Sequence, residues 1–237
     1  MYESLLRRAR DLKRRSRTLR DEGDYPGAED LLQRAIATLD EALSSATHQL
    51  PAGVPSAPDV REVAAELADC WGSLGGVRRR HAEALRREQR FEEADARCDA
   101  AIQAYEQGLV LEQDDRFRIA NSYNLVQRAV VPVLMLPESR VGDELQARLR
   151  DIASSIDRQI ATTRVGDPWA YSDLGLVQLL AGDEAKANRT WDRMDALKPQ
   201  RNLYMSGVPV LEALSNALPR DESLRRAAER FHEMCST

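Results

Sequence analysis

Few residues of this 237-residue chain stand at a spacing that could do chemistry. The three histidines, His48, His81 and His232, have neither a second histidine nor a cysteine at metal-ligand spacing. His81-Ala82-Glu83 matches the H-x-E half of a zinc deaminase signature, but the Pro-Cys-x-x-Cys half is missing. Gly72, Gly75 and Gly76 crowd together without a preceding strand or a following Gly-Lys-Ser/Thr, so they do not form a phosphate-cradling loop. Glycine inside a helix costs about 1 kcal/mol relative to alanine. Gly75 and Gly76 are therefore expected to serve the close approach of a neighbouring helix. The carboxylates Glu92, Glu93, Asp95, Asp114 and Asp115 fall on expected outer faces or turns, and the serines lack a histidine partner in a strand-turn-helix elbow. The expectation is a protein that is not an enzyme and needs no cofactor or metal.

Two polar constellations point to binding instead. In RIANSYNLVQRAVVPVLML, Asn121, Asn124 and Arg128 recur at spacings of three and four, with Tyr123 alongside, and would share one helical face. Their neighbours Ile119, Val126, Val130 and Val131 are apolar, so the stripe interrupts a largely buried helix. Buried amides must be hydrogen-bonded. They either satisfy backbone groups where Pro132 breaks the helical ladder, or line a groove and bind a peptide backbone or ligand. The second constellation is Arg78-Arg79-Arg80. Successive helical residues diverge, so one or two of them, Arg78 first, could join the asparagine face. A guanidinium there suits carboxylate or phosphate recognition; otherwise the run is solvated.

These side chains must be carried by helices, because almost every stretch of the chain has a helical period and none alternates as a strand. Leu31, Leu32, Ala35, Leu39, Ala42 and Leu43 form one apolar stripe, and Val141, Leu145, Leu149, Ile152, Ile156 and Ile160 form another. Each stripe needs a neighbour to bury it, and short turns make that neighbour antiparallel. Breakers occur at Gly23-Asp24-Tyr25-Pro26, the proline-bearing 51–58, Pro137, Gly166-Asp167-Pro168, Gly182-Asp183, Pro199 and Pro219. They divide the chain into helix pairs at 2–45, 60–112, 117–163, 168–198 and 202–234, with a loop at 46–59; the prolines and small residues of 51–60 favour mobility there.

The segment 168–201 holds Tyr171, Leu174-Gly175, a Gly182-Asp183 turn, Ala187, Trp191 four residues later, and a closing Pro199. This order resembles the tetratricopeptide repeat, with Gln178 standing where that family usually has a second aromatic. Leu12, Ser16, Leu19, Ala28, Leu32 and Ala35 resemble it in the first pair. In the second pair Trp71, Leu74 and Gly75 resemble its opening, and Phe91, Ala94, Cys98 and Ala101 its second helix. There the opening sits a heptad too early, so either the first helix is about two turns too long or an irregular turn lies near 85–90. The phrases CWGSLGGVRRR, AIQAYEQGLVLE and NSYNLV look like divergent tetratricopeptide sensor modules of bacterial signalling and conflict systems, which accompany a separate effector.

The resemblance implies an all-α fold: one domain, a right-handed superhelical stack of about five antiparallel helix pairs, whose concave groove takes a peptide or partner protein. The lysine-and-asparagine clamp by which some family members hold a C-terminal carboxylate is not recognisable; Ser172 and Leu176 stand in its place in the best repeat. The groove residues expected to bind are Arg78, Asn121, Tyr123, Asn124 and Arg128. The alternative occupant is a small anionic, nucleotide-like ligand on Arg78, Asn121, Asn124 and Arg128.

Charge gives a third reading. The net charge is −5, yet residues 1–20 hold eight basic and two acidic residues, a local +6 that leaves −11 for the rest. Such a helix can contact nucleic acid, but no aromatic interleaves the arginines to stack bases. Leu5, Ala9, Leu12, Ser16 and Leu19 make its apolar face, so the arginines read better as a solvated flank leaning on acidic neighbours. No apolar run approaches the roughly 20 residues of a membrane span. Three widely spaced cysteines argue for a reducing, cytoplasmic setting.

Overall fold

The structure is a computed structural model that describes residues 2–47, 55–135 and 143–236. Of the expected loop at 46–59, residues 48–54 lie outside the described residues. α2 runs on through Thr47 and α3 starts already at Pro58, so the loop is shorter at both ends than expected. His48, Pro137 and Val141 also lie outside the described residues. The described residues form ten helices and no strand. These are α1 (Glu3–Asp21), α2 (Tyr25–Thr47), α3 (Pro58–Arg87), α4 (Phe91–Glu112), α5 (Tyr123–Met135), α6 (Asp143–Thr162), α7 (Pro168–Leu180), α8 (Glu184–Ala196), α9 (Arg201–Ala217) and α10 (Glu222–Ser236). They divide into two compact units, Met1–Val131 and Pro132–Thr237.

In the first unit each helix packs on the next from α1 to α4, and α1 also meets α3. The stripe read in α2 is the buried one: Leu31, Leu32, Ala35, Leu39, Ala42 and Leu43 join Leu6, Leu12, Leu67 and Leu74 in one core. Gly23 turns the chain between α1 and α2 at φ +86, a left-handed conformation that glycine adopts without a Cβ penalty. The question raised by the early Trp71-Leu74-Gly75 is settled in favour of length. α3 runs unbroken for 30 residues and reverses only after Arg87, through Gln89 at φ +63. No glycine marks that turn, which is why the sequence left it open.

The helix expected from about 117 begins later, at Tyr123. Residues 113–122 instead make a hydrogen-bonded connection. The Asp114 carboxylate accepts from the Arg116 main chain at 2.9 Å and from its guanidinium, while Ser56 N–H donates to Arg116 C=O at 2.9 Å. Phe117 is buried there as an anchor. Local side-chain bonds of this kind compete with the helix and win where Asp and Asn are dense.

In the second unit α6 packs on α7, α7 on α8, and α9 on α10. Leu149, Ile152, Ile156 and Ile160 of α6 are buried as their spacing requires. Asp167 and Asp183 cap α7 and α8 by accepting from Trp169 N–H and Lys186 N–H, both at 3.0 Å. α8 ends at Ala196, and Lys198 at φ +51 turns the chain ahead of Pro199. Arg226 of α10 pairs with Glu184 of α8, and Arg230 with Asp192 and Asp195.

One interlock recurs in three pairs: a glycine on the first helix receives an aromatic ring from the second. A methyl group at Gly75 would lie 2.7 Å from the Tyr105 ring, and one at Gly207 2.7 Å from Phe231. A methyl group at Gly175 would overlap the Trp191 indole. Four residues before each aromatic stands a buried alanine: Ala101, Ala187 and Ala227. The first pair keeps the spacing with Ser16, Ala28 and Leu32, all buried. The glycine-to-aromatic separation is 16 residues for Gly175–Trp191 but 30 for Gly75–Tyr105. The second pair therefore carries fourteen extra residues in this interval, a heptad's worth for each helix. This corrects the expected register of α4: the residues facing Gly75 belong to Ala101-x-x-x-Tyr105, one heptad beyond the Ala94–Cys98 set. Phe91, expected inside, is largely exposed.

Candidate binding face around Gly76 and Asn124

Four glycines, Gly72, Gly75 and Gly76 on α3 and Gly108 on α4, leave a strip of bare backbone that side chains of α4 and α5 fill. Tyr105 lies against Gly75. Asn124 enters between Gly72 and Gly108: a methyl group would come within 2.7 Å of its Oδ1 at Gly72 and 2.6 Å of its Cγ at Gly108. Tyr123 lies over Gly72 and Gly76, edge-on to Tyr105 with ring centroids 6.1 Å apart. What approaches the glycines closely is thus a set of side chains.

Asn124 is wholly buried. Its Nδ2 donates to Ala68 C=O on α3 at 3.2 Å and to Glu112 Oε1 on α4 at 2.7 Å, whereas its Oδ1 has no hydrogen-bond partner. It clamps the start of α5 onto both helices of the preceding pair. Asn121 lies ahead of α5, where its Oδ1 accepts from the N–H groups of Ser122 at 2.8 Å and Tyr123 at 3.1 Å. These bonds satisfy donors at the helix start that have no partner within the helix. Arg128 Nε reaches Glu106 of α4 at 3.0 Å.

Arg78 engages other elements. It bridges Glu29 of α2 at 3.3 Å and donates to Ala100 C=O of α4 at 3.0 Å. Glu29 is buried and also receives Arg97 at 3.0 Å, with His81 Nδ1 3.9 Å away and stacked on Tyr25. Burial, then the charge of Arg97, pushes the His81 pKa below the usual imidazole value. The expected site residues therefore divide by role. Asn121, Tyr123 and Asn124 gather at the α3–α4–α5 junction, Arg128 ties α5 to α4, and Arg78 ties α2, α3 and α4 together.

Three further residues complete the junction: Arg79 and Arg80, expected only as part of the Arg78–Arg80 run, and Tyr105, which no spacing singled out. Arg79 is buried and pairs with Glu83, while its Nε finds no acceptor. The Tyr105 hydroxyl is buried and makes no hydrogen bond of normal geometry, although Arg79 and Tyr123 both act on its ionisation. Burial pushes the Tyr105 phenol well above its ordinary range and raises Tyr123 too. Arg80 is 27% exposed, and its closest carboxylate oxygen, Asp21 Oδ1, is 3.8 Å away. Burial first, then the charges of Arg20 and Arg79, lowers its pKa. The sequence held one signal for this group: Asp69, Ser73, Gly76 and Arg80 recur at four, three and four, the face of α3 opposite the basic face of α1.

On α1, Arg10 binds Glu62 at 2.8 Å and Glu66 at 2.9 Å, and Lys13 binds Glu66 at 2.5 Å and also Asp69. The acidic neighbours expected for the basic helix are thus Glu62, Glu66 and Asp69 of α3. For Lys13, burial lowers the pKa but the two carboxylates outweigh it, and the net shift is upward. Burial also pushes the Cys70 and Cys98 thiols up, to about 12 and about 11. In the second unit, Trp169 and Leu197 are partly exposed beside Pro168, Pro199 and Leu203 around a shallow cavity of about 380 Å³. Among the described residues no helix is long and apolar enough to cross a membrane, and no group of three His, Cys, Asp or Glu residues could hold a metal ion. Comparison of the chain with protein-family models, with curated proteins and with solved structures gives no match.

Proposed function

We propose that the chain is a non-catalytic interaction or sensing module of tetratricopeptide type, whose helix pairs stack as a right-handed superhelix with the first helix of each pair lining a groove. The observation that carries this reading is the recurrent interlock of Gly75 with Tyr105, Gly175 with Trp191 and Gly207 with Phe231, each with a buried alanine four residues before the aromatic. One packing device used within three pairs supports a repeat architecture, in which each pair is one copy of the same supersecondary unit. The groove takes a peptide or a partner protein, and binding regulates a separate effector. A preformed helical surface suits this work, since it loses little entropy when a segment lies on it.

The engagement of Arg78 with Glu29 and Ala100 C=O, and of Arg128 with Glu106, favours a protein partner over a small ligand held by those two arginines. Affinity purification of the tagged chain from its native cells tests the reading. One protein recovered in stoichiometric amount, and lost when the α1–α3 face is altered, is the expected result. A chain that returns with no protein but with a tightly held small molecule overturns it.

A further inference from the structure

The face between α1 and α3 changes character along its length. Lys13, Arg17 and Arg20 share one side of α1 at spacings of four and three, and Asp69, Ser73, Gly76 and Arg80 share one side of α3. At the Lys13 end the charge is met by Glu66 and Asp69. Towards the other end the carboxylates run out. Arg17 is exposed and has no ion pair among the described residues, although its charge reaches Cys70 of α3. Arg20 and Arg80 converge on a single oxygen, Asp21 Oδ1, at 2.7 and 3.8 Å, and both are about three-quarters covered. Behind them Arg79 is buried with Glu83 as its ion-pair partner. Three guanidinium groups thus share two carboxylates while Arg17 has none among the described residues, a local excess of two positive charges.

Gly76 keeps this end open. A Cβ there would stand 3.5 Å from the Tyr123 hydroxyl and 3.8 Å from the Tyr105 hydroxyl, so two phenolic donors converge over bare backbone. Tyr123 is 36% exposed, and behind it the buried Tyr105 hydroxyl faces both Tyr123 and Arg79, whose Nε has no acceptor. Cations held side by side with too few anions, next to a partly exposed phenol, form a surface complementary to an oxyanion. The lowered pKa of Arg80 agrees with this arrangement.

We propose that Arg17, Arg20, Arg80 and the Tyr123 hydroxyl bind the carboxylate side chains of an acidic peptide segment lying across α1, α3 and the start of α5. This rests on reading the chain as a protein-interaction module. The peptide's carboxylates bridge Arg20 and Arg80 and take over part of the role of Asp21, with the Tyr123 hydroxyl over Gly76 beside them.

The test is fluorescence anisotropy on the full chain with a short Glu-rich labelled peptide, its Gln counterpart, and inorganic phosphate as competitor. The Glu peptide should bind and the Gln peptide should not, with affinity falling as salt rises. Arg80→Gln and Arg20→Gln should each weaken binding about 5- to 10-fold, and Tyr123→Phe about 3-fold. Arg225→Gln, on the exposed surface of α10, should change nothing. Thermal melts confirm that the variants fold. Equal binding of both peptides, unchanged affinity in Arg20→Gln and Arg80→Gln, or saturable phosphate binding without peptide binding each overturns the proposal. A cellular protein partner that binds Arg80→Gln as tightly as wild type removes this site and leaves the interaction function intact; absence of any protein partner removes the function itself.

Discussion

The Tyr105 ring occupies the space that a side chain at Gly75 would need, with less than 3 Å between the ring and the position of a Cβ. The next residue, Gly76, has room for a Cβ, because its nearest neighbours there are the two tyrosine hydroxyls at 3.5 and 3.8 Å. Adjacent glycines in one helix thus have opposite demands, and the pair of alanine substitutions separates them. Gly75→Ala gains helix propensity but overpacks the ring, for a net loss of about 1–2 kcal/mol. Gly76→Ala gains about 0.5–1 kcal/mol. Urea midpoints that move in opposite directions are expected; a Gly75→Ala midpoint above wild type would show that the ring is free to move.

Asn124 is expected to matter for stability before anything else. Its bonds to Ala68 C=O and Glu112 hold α5 on the preceding pair. Asn124→Ala removes both and leaves space between Gly72 and Gly108, a loss of about 2 kcal/mol. Equilibrium unfolding of the purified variant measures it. An unchanged midpoint together with lost partner binding would instead make Asn124 a contact residue.

The buried thiols give a pH dependence of definite sign. Burial raises Cys70 from 9.0 to about 12, so the unfolded chain releases this proton first as pH rises. Its contribution is complete below about pH 9 and is lost between there and about 12. Tyr105, raised by burial, acts in the same direction above its ordinary value of 10.0. Stability should fall over this window, with a shallower slope in Cys70→Val. Native protein should expose one thiol, Cys235, to a colorimetric thiol reagent, and all three only when unfolded. Rapid native reaction of Cys70 would contradict its burial.

Lys13 is nearly covered and serves two carboxylates, Glu66 and Asp69. Lys13→Met leaves Glu66 with Arg10 alone and Asp69 without its partner. Because Asp69 is half-exposed, the expected cost is about 1–3 kcal/mol, below that of breaking a fully buried pair. Thermal unfolding checks it, and a melting point equal to wild type would mean that water replaces the lysine.

Helix content, the α2 and α6 stripes and the breaks at Gly166-Asp167-Pro168 and Gly182-Asp183 are legible in the sequence because periodicity and turn chemistry are local. The register of the second pair is not. Cys98 and Tyr105 stand seven residues apart on the same helical face, and only the length of α3 decides which of them meets Gly75. The α5 start was misplaced for a related reason: Asp114 and Asn121 take up backbone donors locally, a competition that apolar spacing does not record. For the candidate site, Asn121, Tyr123 and Asn124 were found as a group, since they are neighbours in sequence. Arg20, Arg79, Arg80 and Tyr105 were not, because they come from three helices and meet only through packing.

Native mass spectrometry of the complex isolated from the chain's own cells tests the central claim most directly. A stoichiometric complex with a second protein, dissociating at raised salt and failing to form with Arg20→Gln/Arg80→Gln, is the expected result. A chain that flies alone or with only a small molecule bound, unaffected by those substitutions, would contradict it.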